Sequence, residues 1–225
     1  MTLPEGLVAC EDGLVRPTWA ATDLLLRDYY DTEWGSPVTS EQGVFERLVL
    51  ESFQSGLSWS TILKKREAFR AAFASFIPEA VAAFSDQDRE RLMQDAGIVR
   101  NKRKIDAAIA NARAVISLRS ALTAESDAHR AGRMGEAPLA HLLRPQQHYP
   151  RHLGELVWLY QPSHQPRPRC AQEVPAQTEE SRALSLELKR RGFVFVGPVT
   201  ALALMSAIGI VNTDILGTWK RPLTE

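Results

Sequence analysis

Helical spacing of apolar residues runs through most of this chain and limits what it can fold into. In VFERLVLES and in NKRKIDAAIANARAVISL the apolar residues recur every three or four positions. Such spacing places them on one face of an α-helix. The one strand-like stretch is the short FVFV at 193–196. The pattern predicts an all-α fold, and we expect residues 1–225 to form a single globular domain.

Short polar side chains mark where several helices should begin, because they accept hydrogen bonds from the first free N–H groups of a helix. Four of them precede segments with helical spacing: Ser40, Ser58, Ser85 and Thr178. The helix after Ser58 should run unbroken through TILKKREAFRAAFASF. The helix after Ser85 should form a capping box with Asp88 and end at Gly97. A weaker pattern from about 123 to 150 predicts mostly loop, with a short helix in EAPLAHLL.

The balance of charge excludes a uniformly basic protein. Lys plus Arg number 27 and Asp plus Glu number 27, so any surface for nucleic acid must be a local patch. No apolar run has the length of a membrane span, and the first residues lack the apolar core of a signal peptide. Cys10 and Cys170 form no CxxC pair, which excludes a disulfide framework and indicates a reducing compartment. We expect a cytoplasmic monomer without a membrane partner.

One carboxylate, Glu51, lies where a charge is costly. It sits in LESFQSGLSW, between an apolar helical run and a Gly-Leu-Ser-Trp corner, and beside the apolar stripe of its helix. A carboxylate at the edge of a core costs several kcal/mol unless something binds it. Either a structural partner or a substrate must therefore hold Glu51.

Aromatic residues are dense before and around this carboxylate. Five of them are Trp19, Tyr29, Tyr30, Trp34 and Trp59. They could simply fill the core, as large aromatic side chains usually do. They would also suit a slot that stacks a flat base, with Glu51 as its polar reader. The residues alone leave both readings open.

A basic, glycine-bounded corner lies near the C-terminus. The expected helix ends in Lys189, Arg190 and Arg191, a hairpin follows from Gly192 to Gly197, and a new helix starts at Pro198. The N-terminus of that helix offers free N–H groups and a positive dipole end, which together can bind phosphate. An ordinary corner between two helices has the same sequence pattern, so this motif alone does not show whether the corner binds phosphate.

Longer stretches resemble one family. They are RPTWAATD, YYDTEWGSPV, FERLVLESFQSGLSWSTILKKREAFRAAF, LMQDAGIVRNKRKIDAAIANARA and LELKRRGFVFVGPVTALALMSAIGIVNTD. In this order they resemble the DNA-3-methyladenine glycosylase I family of the helix-hairpin-helix glycosylases. The resemblance implies the helix-hairpin-helix glycosylase fold. It leaves 119–150 as an insertion, which could touch DNA but is better explained as a solvated loop.

The resemblance also implies roles for the residues of the slot. Glu51 would read the methylated adenine and be the catalytic carboxylate, while Tyr29 would hydrogen-bond the base and Trp59 would stack on it. Trp19 and Trp34 would complete the wall. Gln54 matches the family's glutamine and is expected to bind the base.

Further positions are implied to contact DNA. Gly56 and Leu57 match the turn that fills the gap left by a flipped nucleotide. The hairpin from Gly192 to Gly197 would hold backbone phosphate through its N–H groups. The cations before it would add phosphate contacts: Lys189, Arg190 and Arg191.

The chain departs from the family at its metal site. A structural zinc clip that often joins the chain ends would fall on Pro17, Tyr30, Asp214 and Thr218, and none of these is a thiolate or imidazole. We therefore expect no metal and no cofactor, with packing among these residues joining the chain ends instead. His148 and His152 have zinc-like spacing, but the intervening proline makes them poor ligands.

Three other positions bear on the surroundings of the sugar and of the base. By the resemblance, Asn212 occupies the place of an aspartate that supports the sugar in related glycosylases, and Asp214 is expected to lie away from the sugar. Phe53, next to Glu51, is expected to reshape the pocket rim.

The implied function is a monofunctional DNA glycosylase. It would flip 3-methyladenine out of alkylated double-stranded DNA and excise it by hydrolysis, which starts base excision repair. A non-catalytic helix-hairpin-helix DNA-binding module is the alternative, although such a module has no need for Glu51, Tyr29 and Trp59 together. A structural or interaction protein is the third possibility, and it would lack salt-dependent affinity for DNA.

Overall fold

The computed structural model describes residues 3–223, and over this range the protein is mainly helical. This confirms the all-α expectation. The helices are α1 Leu24–Thr32, α2 Glu41–Gln54, α3 Trp59–Lys64, α4 Arg66–Ala72, α5 Pro78–Ala82, α6 Asp86–Gln94, α7 Lys102–Arg130, α8 Leu153–Trp158, α9 Glu179–Arg190 and α10 Pro198–Ala207. Short 3-10 turns occupy Thr18–Ala21, Ala74–Phe76, Met134–Glu136, Ala140–Leu142 and Ala171–Glu173.

The predicted caps are present at the starts of four helices. Ser40 accepts from the third residue of α2, and Ser58 accepts from Thr61 N–H at 3.2 Å. Ser85 and Asp88 form a reciprocal capping box, and Thr178 forms one with Ser181. These contacts join residues three apart, so the local sequence is sufficient to predict them.

The helix predicted after Ser58 is wrong in its length. It stops at Lys64, and a second helix begins at Arg66. The intervening Lys65 has φ −99° and ψ −1°, and its ammonium group donates to the carbonyl oxygens of Ala96 and Gly97, at 2.9 and 3.1 Å. Beyond α4, positive φ angles of 49°, 53° and 57° at residues 74–76 end the helical path well before Pro78.

The predicted end of α6 at Gly97 is also wrong. The helix ends at Gln94, and Asp95 is already extended. The Asp95 carboxylate accepts from Gly97 N–H at 2.7 Å, so a local side-chain turn ends the helix where a glycine cap was expected.

The strand expected at FVFV is absent from the described chain. The two strands are β1 Leu7–Ala9 and β2 Val15–Pro17, which pair antiparallel with Val8 opposite Arg16. At 193–196 the backbone turns sharply because Phe195 has a φ of 57°. The region expected to be loop after residue 123 also differs, since α7 continues to Arg130. The short helix expected in EAPLAHLL is a 3-10 turn at Ala140–Leu142.

The central core forms where α2 lies between α8 and α10, with α9 against α10 and α5 against α7. Phe53 belongs to this core. Its ring packs 4.7 Å from that of Phe69 and is fully buried, so the expectation that it reshapes the pocket rim is wrong. Within residues 3–223 no helix is long and apolar enough to cross a membrane.

The two ends of the described chain lie against each other. Trp219 N–H donates to the Val15 carbonyl at 2.9 Å, and its indole donates to Asp31 at 3.0 Å. Asp31 also binds the guanidinium of Arg16, which is buried. The four positions at which the family's zinc clip would fall are all buried here: Pro17, Tyr30, Asp214 and Thr218. No group of three or more His, Cys, Asp or Glu side chains suited to a metal occurs among residues 3–223.

Candidate base-binding and DNA-binding site

A cleft of about 760 Å³ opens between the N-terminal aromatic residues and α10. Residues that line it include Trp19, Trp34, Glu51, Gln54, Trp59, Leu202, Ser206 and Asp214. The walls are mainly apolar, which suits a flat, weakly hydrated ligand.

Glu51 brings an unpartnered carboxyl group to this cleft. It lies in the last turn of α2, its side chain is buried, and no hydrogen bond to it occurs among the described residues. Burial raises the pKa of Glu51 to about 8, and the positive charge of Arg47 one turn earlier only partly opposes this. This pKa favours a protonated Glu51 at neutral pH, and a cationic ligand would favour its ionised form.

The aromatic rings on the side of α1 pack against one another, and Trp19, Trp34 and Trp59 line the cleft with Glu51. The Tyr29 ring lies 5.3 Å from the Trp59 ring and 6.2 Å from the Trp34 ring, measured between centroids. Trp19 meets Trp34 edge to face at 5.5 Å. Burial and the nearby Glu51 charge raise the pKa of Tyr29, so its hydroxyl stays protonated and can donate. The structure thus brings together the residues predicted for the slot.

Ion pairs and a lysine, which were not predicted, hold these rings in place. Glu33, next to Trp34, receives two hydrogen bonds of 2.7 Å from Arg66 and one of 3.3 Å from Arg47. From the C-terminal segment, Lys220 donates to the Trp34 carbonyl at 2.7 Å and lies 4.9 Å from the centre of the Tyr30 ring. No spacing in the sequence indicates these long-range contacts.

Asp214 lies in the wall of the same cleft as Glu51. Burial raises its pKa, and it faces Tyr30 and Lys220. Asn212 is exposed, and its side-chain oxygen accepts from Asp214 N–H at 3.0 Å. The amide of Asn212 is thereby used to shape the turn.

The hairpin between α9 and α10 is tied down through its carbonyl groups. Asn111 donates to the carbonyl of Val194 at 3.0 Å and accepts from its N–H at 2.8 Å. Ser185 donates to the Val196 carbonyl at 2.5 Å, and the Ser52 hydroxyl lies 3.3 Å from the Phe195 carbonyl. Three helices therefore hold three consecutive carbonyl groups.

Three N–H groups of the hairpin have no hydrogen-bond acceptor within the described chain. Among the described residues, none accepts from the N–H groups of Phe195, Val196 or Gly197. Gly197 precedes α10 without a side-chain cap, and Pro198 occupies the first turn as predicted. Consecutive free N–H groups beside a helix N-terminus form a concave site for an anion such as phosphate.

The three cations before the hairpin differ from one another. Lys189 is exposed. Arg190 binds Glu187 at 2.6 Å. Arg191 is buried, with 5% of its side chain exposed, and binds both Glu187 and Glu125. The environment of Arg191 is therefore that of a buried ion pair, which was not expected for a phosphate contact.

The turn after α2 stands at the rim of the cleft. Gly56 has a φ of 78°, which few residues other than glycine adopt easily, and Leu57 is 41% exposed. Lys104 fixes this turn by donating to the carbonyl oxygens of Phe53 and Ser55 at 2.8 and 2.5 Å. An exposed leucine is thus held on a rigid turn near Glu51.

Comparisons with known proteins agree with this geometry. The family described as Methyladenine glycosylase matches residues 19–133 and 134–221. DNA-3-methyladenine glycosylase 1 of Escherichia coli K12 is 40% identical over 202 residues, which are 88% of this chain and 92% of that protein. DNA-3-methyladenine glycosylase of Haemophilus influenzae is 34% identical over 203 residues, which are 89% and 94% of the two chains.

Solved structures give the same result. A crystal structure of 3-methyladenine DNA glycosylase I has a TM-score of 0.73 at 35% identity, covering 91% of this chain and 98% of that one. The Staphylococcus aureus 3-methyladenine DNA glycosylase I, in a structure on 3-methyladenine recognition, has a TM-score of 0.72 at 28% identity. That match covers 89% of this chain and 93% of the other. The chain therefore belongs to the methyladenine glycosylase family.

Proposed function

We propose that this protein is a DNA glycosylase that excises 3-methyladenine from alkylated DNA by hydrolysis. The observation that carries the proposal is the unpartnered carboxyl group of Glu51, buried in an aromatic cleft. The relatives are named for the same activity, and one related structure is a complex with 3-methyladenine. A protein that only binds DNA would have no use for Glu51 in this position.

Charge selects the lesion in this proposal. A 3-methyladenine nucleotide is cationic, whereas an undamaged adenine is neutral. Unit charges of opposite sign about 4 Å apart attract by roughly 4 kcal/mol at an effective dielectric constant of about 20. The cationic base therefore ionises Glu51, and neutral adenine gains no such attraction. Tyr29 and Gln54 would add hydrogen bonds, while Trp59, Trp19 and Trp34 would enclose the flat ring.

The chemistry needs little acid catalysis because the base already carries a positive charge. When the N-glycosidic bond breaks, its electron pair goes to the base, which leaves neutral. Water then adds to the sugar carbon and loses a proton to solvent. The protein's task is to flip the nucleotide, hold the base beside Glu51 and keep the sugar exposed to water.

We propose that duplex DNA docks on the hairpin as in helix-hairpin-helix proteins. A phosphate would accept hydrogen bonds from the free N–H groups of 195–197, and exposed Lys189 would add a charge contact. Leu57, on its rigid turn, would fill the space that the flipped nucleotide vacates. The protein would act as a monomer, since one chain supplies both the cleft and the hairpin. It would act in the cytoplasm.

Release of free 3-methyladenine from methylated duplex DNA tests the proposal. The native protein should release it, and Glu51→Gln should keep the fold but slow release. If the lost charge is worth about 2–4 kcal/mol, the rate falls roughly 30- to 1000-fold. A native protein that binds methylated DNA but releases no base would show that the non-catalytic alternative is correct.

A further inference from the structure

Three of the four arginines of segment 119–150 are paired with acids, and only Arg144 is exposed without an acidic partner among the described residues. Arg119 binds Glu41 and Glu79, and two further arginines bind acids three residues away on exposed surface. The pairs of this second kind are Arg130 with Asp127 and Arg133 with Glu136. Direct attraction of DNA phosphates is therefore a poor explanation for this segment.

The segment instead reaches the hairpin through one carboxylate. Glu125, in the last part of α7, accepts from Arg191 at 2.9 Å and from the Tyr149 hydroxyl at 2.7 Å. The same hydroxyl accepts from Leu139 N–H at 3.2 Å. Tyr149, near the end of the segment, thus binds Glu125, near its start. Glu125 in turn binds Arg191.

Arg191 is the residue directly before the hairpin. Its guanidinium group is held on the other side by Glu187 at 2.5 Å, and its N–H caps the end of α9. Only 5% of its side chain is exposed. Turning this side chain toward a phosphate would leave the partly buried Glu125 carboxylate without its cation and Glu187 with Arg190 alone, which is unfavourable.

Resting on the function proposed above, we propose that segment 119–150 braces the phosphate-binding hairpin through Glu125 and Arg191. Arg191, Glu125 and Tyr149 are then positioning residues. They fix where the chain leaves α9 and hence the direction of the N–H groups of 195–197. None of the three touches the substrate.

The brace acts on DNA docking and not on the base slot. Glu51, Tyr29 and Trp59 lie on α2, α1 and α3, and none of them contacts Glu125, Arg191 or Tyr149. Weakening the brace should therefore change affinity for DNA while leaving affinity for the free base unchanged. A general loss of stability would lower both.

Two conservative variants, Glu125→Gln and Tyr149→Phe, test this idea, with Glu136→Gln as the matched control. Glu136 pairs with Arg133 in the same segment, but both side chains are largely exposed. The measurements are KM and kcat on methylated duplex DNA, the salt dependence of DNA binding, and quenching of tryptophan fluorescence by free 3-methyladenine.

In the two brace variants we expect KM to rise about 3- to 30-fold, with kcat and affinity for the free base unchanged. Glu136→Gln should match the native protein. The opposite result would overturn the proposal: if Arg191 is a phosphate contact, Glu125→Gln frees it, so DNA binding tightens and the salt slope steepens by about one. Unchanged KM, or an equal loss of free-base affinity, also contradicts it. Absence of base release by the native protein would instead refute the proposed function.

Discussion

The side chain of Asn111 pairs with both polar backbone groups of Val194. Its Nδ2 donates to the carbonyl at 3.0 Å, and its Oδ1 accepts from the N–H at 2.8 Å. Asn111 lies in the middle of α7 and is completely buried, whereas Val194 lies in the hairpin. One buried amide therefore replaces the ladder partner that this part of the hairpin would have in a sheet.

Replacing Asn111 should loosen the hairpin. In Asn111→Ala both backbone groups of Val194 lose their partner, and an unsatisfied buried group costs about 1–3 kcal/mol. We expect a lower Tm together with weaker DNA binding, measured by thermal unfolding and fluorescence anisotropy. Ser117→Ala, at an exposed position of the same helix, is the control and should change neither quantity. A native DNA affinity in Asn111→Ala would mean that the hairpin does not dock DNA.

The stability of the protein should depend on pH through Glu51. Its pKa of about 8 in the folded protein is above the usual value of an unfolded glutamate, so the native protein loses stability as pH rises from about 4.5 through 8. Glu51→Gln has no such loss and should be more stable by about 4 kcal/mol near pH 8, with little difference at pH 4.5. Thermal unfolding across this range measures it. A difference in Tm that stays constant with pH would contradict the assignment.

Asp214 is the second buried carboxylate of the cleft, but it faces Tyr30 and Lys220. We therefore expect Asp214→Asn to slow excision by less than about threefold, equivalent to less than about 0.7 kcal/mol. Single-turnover release of 3-methyladenine provides the comparison with Glu51→Gln. An inactive Asp214→Asn beside a nearly normal Glu51→Gln would place the chemistry on the other carboxylate.

Lys220 should matter to the base slot although it lies in the C-terminal segment. It donates to the Trp34 carbonyl at 2.7 Å, and burial lowers its pKa. Lys220→Met keeps the length of the side chain but removes this bond and the contact with the Tyr30 ring, each worth about 0.5–2 kcal/mol. Affinity for free 3-methyladenine should fall by several-fold, as measured by fluorescence quenching. Lys102→Met, at an exposed lysine, should have no effect.

The sequence predicts best what neighbouring residues decide. Ser40, Ser85 and Thr178 each cap a helix by accepting a hydrogen bond from the N–H group three residues later. The local sequence is therefore enough to predict their role. The residues of the slot could be named from the sequence because the stretches that resemble the family include them. The buried character of the slot also followed from Glu51, since a carboxylate beside an apolar stripe must meet a partner or a ligand.

Contacts between distant residues were not predictable. The helix expected after Ser58 is interrupted at Lys65, whose side chain binds carbonyl groups at 96 and 97. Arg191 was expected at the surface, but it binds Glu125, which lies 66 positions away. FVFV has the composition of a strand, yet its carbonyl groups are bound by side chains from three helices. Tertiary contacts override local preference in each case.

The adjacency of Glu51 and Ser52 on α2 has a consequence for how undamaged DNA is searched. Glu51 points to the cleft, and the Ser52 hydroxyl lies beside the Phe195 carbonyl of the hairpin. If the proposed roles hold, the separation between Glu51 and the phosphate-binding hairpin is set by two adjacent residues of α2, which lie in one continuous helix. In the proposed function, each nucleotide would then meet Glu51 at the same distance from the bound phosphate, and discrimination between damaged and undamaged bases would rest on the charge of the base.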